Sequence, residues 1–192
     1  QERFVKFLLK DTDPCKFSVL LMLLSGMRIG ELCALQWKNI NLREQTICIT
    51  ATLQRLRDTA AANGARTRIV IGAPKSDTSM RTIPMTDYVT ELCSRFQAKN
   101  TAYILTGTEE YMEPRTLQYR IAKYTKACGL EGVHAHTLRH TFATRAVEVG
   151  FEIKSLSEVL GHANTSITLE RYVHSSMELK RENMDKLTAV GF

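Results

Sequence analysis

No apolar run in this 192-residue chain reaches the roughly 20 residues that a membrane-crossing helix needs. The longest candidate, residues 17–24, has the length of a buried helix, so no membrane-crossing helix is expected in this sequence. No signal peptide precedes it, and the chain opens on Gln1 rather than Met, as expected of a piece excised from a longer protein. Cysteine is sparse: five residues, Cys15, Cys33, Cys48, Cys93 and Cys128, with no Cys-x-x-Cys pair among them. Scattered thiols inside apolar segments read as reduced, core-filling residues of a cytosolic protein rather than as a disulfide framework or a catalytic cysteine. There is no Walker-type loop and no pair of carboxylates at metal-binding spacing, so neither nucleotide-driven nor two-metal chemistry is expected. Internal repeats and low-complexity stretches are absent too.

What is present supports one core. A hydrophobic content of 44% suits a single sizeable core, with lobes, rather than two large domains. The formal net charge of +6 and the sequence pI of about 9.1 favour a polyanionic partner. That signal is weak alone, because many basic proteins never touch DNA.

Asp13-Pro14 reads as a helix start, an N-cap acceptor followed by proline at the first helical position, and Ser25-Gly26 as its end. Arg28 then falls on a tight turn, and a short helix follows over residues 30–35. Thr46-Ile47-Cys48-Ile49-Thr50 is β-branched and predicts a strand. Arg68-Ile69-Val70-Ile71 and Arg81-Thr82-Ile83-Pro84 predict two more, joined through Lys75-Ser76-Asp77-Thr78-Ser79. Residues 54–66, with the turn pair Asn63-Gly64, read as a polar loop made basic by Arg55, Arg57, Arg66 and, just beyond it, Arg68. From Thr86 onward the expectation is helical: residues 89–98, 114–128 and 137–149, short helices over 153–160 and 165–173, and a polar one over about 177–187. The fold class is therefore mainly α with a small three-stranded antiparallel β-sheet on one side.

The chemistry-bearing residues cluster late in the chain. His136 and Arg139 are three apart and share a face if both lie in the first turn of a helix. A helix N-terminus is itself an anion site, and an arginine fork there grips two phosphate oxygens at once. The ordinary alternative is a surface histidine beside an ion-paired arginine. His140 completes a His-x-x-x-His spacing, but the guanidinium between the two imidazoles opposes a cation, so a buried, hydrogen-bonded supporting role is expected of it and no metal. Gly161 suits a helix C-terminus that turns sharply and holds His162 at a set angle. Singly, Arg28, Lys75, His162 and Tyr172 each have a plain structural use, as a turn residue, a solvated charge, an incidental cap neighbour and half-buried packing.

Together they form a pattern. Gly26-Met27-Arg28-Ile29-Gly30-Glu31-Leu32, Pro74-Lys75, His136-Thr137-Leu138-Arg139-His140, Leu160-Gly161-His162 and Tyr172 stand in the order, and at about the spacings, of the tyrosine recombinase family. The chain resembles the catalytic domain of that family over essentially its whole length, residues 1–192, most of all the integrases of phages and conjugative transposons. The family's usual N-terminal DNA-closing domain has no counterpart here. The resemblance implies a DNA breaking-rejoining fold and a nucleophile, Tyr172, that forms a 3′-phosphotyrosyl bond. It implies Arg28, Arg139 and His162 as stabilisers of charge on the phosphate and Lys75 as proton donor to the leaving 5′-oxygen. His136, or the electropositive pocket as a whole, would ease deprotonation of the phenol, whose reference pKa is about 10.

The same resemblance implies no cofactor, double-stranded DNA recombination sites as substrate, a tetramer on synapsed DNA, and an accessory DNA-bending or excision factor. The cytoplasm of a bacterium, on the nucleoid when DNA-bound, is the expected location. The tail, residues 176–192, carries Met184, Leu187 and Val190 at near-helical spacing; it docks either on its own domain or on a neighbouring protomer. Integration or excision of a mobile element is the expected task. Neighbouring readings are an Xer-like chromosome-dimer resolvase, a DNA-binding regulator without chemistry, and a type IB topoisomerase-like enzyme. The complete residue set opposes the regulator; the Leu160-Gly161-His162 segment and the short length oppose the topoisomerase.

Overall fold

The axis of the core is helix α2 (Pro14–Ser25), and local chemistry sets both of its ends. The Asp13 carboxylate accepts the Cys15 N–H at 2.9 Å, Pro14 begins the helix without needing a donor, and Gly26 ends it in the left-handed conformation at φ 66°. In this computed structural model, which describes residues 2–57, 67–73, 79–172, 181 and 185, α2 is buried on nearly every side. Helices α1 (Glu2–Leu8), α3 (Ile29–Ala34), α4 (Asp87–Phe96) and α6 (Ala135–Glu148) pack around it. Its all-apolar segment from Val19 to Leu23 is thereby removed from water. Phe17 stacks on Phe96 of α4 at 4.4 Å between ring centroids.

Helices α5 (Pro114–Ala127), α7 (Ile153–Leu160) and α8 (Thr165–Tyr172) follow along the chain, and Trp37–Asn39 forms a short 3-10 turn. Thr86 caps α4 as expected, its hydroxyl accepting the Val89 N–H at 3.3 Å. The expected boundaries of α2, α4, α5, α6, α7 and α8 hold to within a few residues. Helix α1, which buries Phe4 and Leu8 one turn apart, has no counterpart among the expected elements. The expected helix over 177–187 lies outside the described residues except for Arg181 and Asp185, both helical and exposed. Among the described residues, no helix is long and apolar enough to cross a membrane.

The mainly helical class with small antiparallel sheets is what forms, but the strands pair differently from expectation. The three-stranded antiparallel sheet consists of β1 (Ile40–Asn41), β2 (Thr46–Ile49) and β5 (Arg81–Pro84), in the order β1-β2-β5, with Ile47 opposite Ile40 and Ile83. The expected strand at Arg68 to Ile71 is not its third member. It belongs to β4 (Thr67–Gly72), which pairs with β3 (Thr52–Arg57) in a separate two-stranded ribbon. Residues 54–57 are thus strand, not loop.

The physical reason is that the ribbon buries little. In β3 only Leu53 is fully inside, so the two-residue apolar period that marks a strand is lost among polar residues. Gly30 lets α3 approach the ribbon, since a Cβ there would lie 2.8 Å from the Leu53 carbonyl oxygen. Of the basic residues expected along this segment, Arg55 pairs with Glu113 at 2.5 Å and with the Thr67 hydroxyl, while Arg57 and Arg68 are exposed. Arg66 lies outside the described residues.

Candidate active site

Two arginines reach the site from opposite ends of the chain, and one carboxylate holds the first. Arg28 sits just before α3 in an extended conformation. Its backbone N–H donates to Glu31 Oε2 at 2.7 Å and its Nη1 to Glu31 Oε1 at 2.8 Å. Nη2 donates to the Gly161 carbonyl at 2.6 Å, tying α3 to the corner after α7. Glu31 is 2% exposed and is shared: Arg81 from β5 forks onto it, Nη1 to Oε1 and Nη2 to Oε2, both at 2.9 Å. Burial pushes the Glu31 carboxyl upward, but the hydrogen bonds and charge of Arg81, then those of Arg28, outweigh it and hold the group below the usual carboxylate range.

Arg139 is the second. It is 7% exposed and projects from α6 into the gap between the ends of α2 and α7. Nη1 donates to the Gly26 carbonyl at 2.6 Å and Nη2 to the Leu160 carbonyl at 2.8 Å. The same Nη2 lies 3.0 Å from His162 Nε2. Burial, with the neighbouring positive charge of Arg28 next, pulls its pKa down to about 10, which leaves it charged at neutral pH. Because a guanidinium only donates, His162 Nε2 must accept. That assigns the ring proton to Nδ1, which sits 2.8 Å from the Thr168 hydroxyl. The imidazole is thus clamped from both sides.

The local fold follows from glycine. Gly161 closes α7 at φ 65°, a conformation other residues adopt at a cost. A Cβ there would also lie 2.9 Å from Arg81 Nη1. Gly26 is as constrained, with its virtual Cβ 2.4 Å from the Phe142 ring.

Tyr172 ends α8. It is 8% exposed and packs with Ala143, Ala146, Leu156 and Leu160. Its ring lies 5.1 Å from that of His140, tilted by 41°. Tyr172, Arg139, His136, His140, His134 and Thr137 line one open cleft of about 620 Å³. His136 stands exposed in the first turn of α6, and His134, the residue that caps this helix, accepts the Thr137 N–H through Nδ1.

Five of the six residues singled out in the sequence, Arg28, His136, Arg139, His162 and Tyr172, therefore converge, either on the cleft or on its hydrogen-bonded wall. Lys75 lies outside the described residues, as does the rest of 74–78. One expectation fails: His140 is exposed and faces Tyr172 rather than being buried in support of α6. The inward side of that helix is taken by Ala135, Leu138, Arg139, Ala143 and Ala146, and His140 falls one position beyond the Arg139 line. Among the described residues, no group of three or more His, Cys, Asp or Glu is placed to hold a metal ion. The sequence reading missed Arg81, the wider role of Glu31, Thr168 and His134. Of these, only Glu31 carried a visible signal, its three-residue spacing from Arg28.

Comparison with known proteins agrees with this geometry. A tyrosine recombinase from Pseudothermotoga lettingae is 30% identical over 175 residues, covering 89% of this chain and 53% of the relative. The integrase of Staphylococcus phage L54a is 26% identical, over 85% of this chain and 49% of its own. The chain spans about half the length of these curated relatives. Among solved structures, the integrase of the Tn1549 transposon, in complex with transposon right end DNA, superposes with a TM-score of 0.77 at 26% identity, over 97% of this chain and 63% of that one. The XerA recombinase, at 22% identity and a TM-score of 0.64, shares the fold. A model of the phage integrase family matches residues 2–178, and the chain belongs to that family.

Proposed function

We propose that this chain is the catalytic domain of a site-specific DNA recombinase that cuts and rejoins double-stranded DNA through a 3′-phosphotyrosyl intermediate, serving the integration or excision of a mobile element. The observation that carries the reading is the buried, charged Arg139 that shares a cleft with the Tyr172 ring and is aimed by His162. A phosphodiester is anionic, and its pentacoordinate transition state concentrates further charge on the non-bridging oxygens. Preorganised donors that meet this charge lower the barrier, by about 2.7–4 kcal/mol for each donor in comparable oxyanion sites. Arg28 and Arg139 supply those donors, and His162 holds the second in line.

In the cleavage step the Tyr172 oxygen attacks phosphorus as its proton passes to His136, and the electropositive cleft eases that loss by favouring the phenolate. The bond to the 5′-oxygen breaks, and Lys75 protonates the leaving group. The covalent link conserves the phosphodiester, so a 5′-hydroxyl from another strand reseals it without nucleotide hydrolysis. The mobile-element assignment draws support from the greater likeness to the Tn1549 integrase, TM-score 0.77, than to XerA, 0.64.

The test is covalent capture. The chain is incubated with a library of nicked duplexes of randomised sequence, and protein-linked DNA is recovered under denaturing conditions. An adduct on the 3′ side of the break that vanishes in Tyr172→Phe is the expected result. Binding without an adduct under any condition would refute the catalytic reading and leave a regulator.

A further inference from the structure

The site contains a third arginine that none of the chemistry above uses. Arg81 is nearly as buried as Glu31, with a side chain 6% exposed, and lines no part of the cleft. Its hydrogen bonds go to structure on both sides. Nη1 and Nη2 fork onto Glu31 at 2.9 Å, Nε donates to the Val159 carbonyl at 2.5 Å, and Nη1 also reaches the Ser79 carbonyl at 3.2 Å. The Gly161 backbone lies against the same guanidinium.

The contacts with Glu31, Val159 and Gly161 are each one step from a group on the reaction. Glu31 grips Arg28 through two bonds, and the carbonyl of Gly161 receives the Arg28 Nη2. Val159 is followed directly by Leu160, whose carbonyl holds Arg139, and by the corner that presents His162. β5 thereby adds a second link between two elements that Arg28 already ties together: α3, which follows Arg28, and the end of α7, which leads to His162.

We infer that Arg81 is a positioning residue for the phosphate grip: it sets Arg28 through Glu31 and the Gly161–His162 corner through Val159, without touching DNA. A buried arginine that served stability alone would need a partner for its charge, and Glu31 provides that. It would not need to be locked at the same time to the C-terminal end of α7, through Nε on the Val159 carbonyl and a guanidinium packed against Gly161. Lysine cannot replace it, because a single ammonium cannot fork onto two carboxylate oxygens and still reach Val159. Two cations on one buried carboxylate also keep Glu31 from turning toward the cleft, where a free negative charge would repel a phosphate. The inference rests on the recombinase reading for its consequence, but not for its geometry.

The experiment therefore has two arms, run on the whole chain as wild type, Arg81→Lys and Arg81→Gln, with circular dichroism used to restrict both to folded protein. In the first, carbon–nitrogen correlated NMR of the guanidinium groups reads rotation of the Arg28 Nη atoms, and the His162 ring resonances report the corner. Wild type is expected to show slow Arg28 rotation; both variants are expected to show rotation at least tenfold faster together with shifted His162 signals. In the second, single-turnover cleavage and DNA affinity are measured on a duplex selected by covalent capture with wild type. The expected outcome is a cleavage rate at least 30-fold lower, with DNA affinity within about threefold, and Arg81→Lys recovering little. Folded variants whose Arg28 stays slow and whose His162 signals do not move overturn the inference whatever the DNA does. Full cleavage by Arg81→Gln overturns it as well. Absence of any wild-type adduct defeats the recombinase reading instead, while the NMR arm still decides the positioning.

Discussion

Replacing Glu31 by glutamine tests the centre of this arrangement without any knowledge of the DNA site. The substitution keeps the shape of the side chain and removes its charge, leaving Arg81, buried to 6% exposure, and Arg28 facing a neutral amide. Breaking a buried ion pair by removing one partner typically costs about 3–5 kcal/mol, because a desolvated charge is left uncompensated. For a chain of this size each kcal/mol moves the thermal midpoint by about 2–4 °C, so a fall of roughly 6–20 °C is expected at pH 7. Urea unfolding followed by circular dichroism gives the free-energy difference directly. Glu91→Gln is the control, since the exposed Arg95–Glu91 pair on α4 should contribute no more than about 1 kcal/mol.

The pH dependence supplies a second check. The folded-state pKa of Glu31 is depressed, so its contribution is fully present above the unfolded carboxyl value, about 4.3, and is lost as pH falls through the folded one. The wild-type and Glu31→Gln curves should therefore converge in acid and stand apart at neutral pH. A Glu31→Gln protein within about 1 kcal/mol of wild type at pH 7, or a gap that persists unchanged at pH 3, would refute the buried-anchor account.

Two further outcomes are expected. Thr168→Val removes the hydroxyl that meets His162 Nδ1 at 2.8 Å; loss of that bond, worth about 0.5–1.5 kcal/mol, should slow single-turnover cleavage by roughly 2- to 12-fold and broaden the His162 ring signals in NMR. Burial pushes the Cys33 thiol up, and that of Cys93 to about 12; iodoacetamide at pH 8 should therefore spare both in the native protein, label the half-buried Cys48 first, and reach all five only in denaturant, as counted by mass spectrometry.

Much of the helical frame was legible because its signals are local. Asp13-Pro14 and Gly26 bracket α2, Thr86 starts α4, and Gly161 ends α7, each through a cap that a few residues determine. Arg28, Arg139, His162 and Tyr172 were legible as a pattern of residue types in order. Arg81 was not, although it lies in a strand that was expected. Its importance arises from β5 pairing beside β2 and so facing both α3 and α7, a long-range event with no mark in the neighbouring residues. The β3–β4 ribbon was half missed for the opposite reason: Thr52 to Arg57 buries too little apolar surface to show a strand period. The buried place expected of His140 did not form because the apolar stripe Leu138, Ala143 and Ala146 takes the inward side of α6 and turns it toward solvent.

The carbonyls that hold Arg28 and Arg139 have one further trait in common. Gly26 and Gly161 close helices α2 and α7, and Leu160 is the last residue of α7, so Arg28 and Arg139 both rest on the electronegative tips of helical dipoles. Those tips attract the guanidinium groups and offset part of the repulsion between them. A cradle built this way is held by the fold's own carbonyls, so its positive charge does not depend on the anion it is proposed to receive.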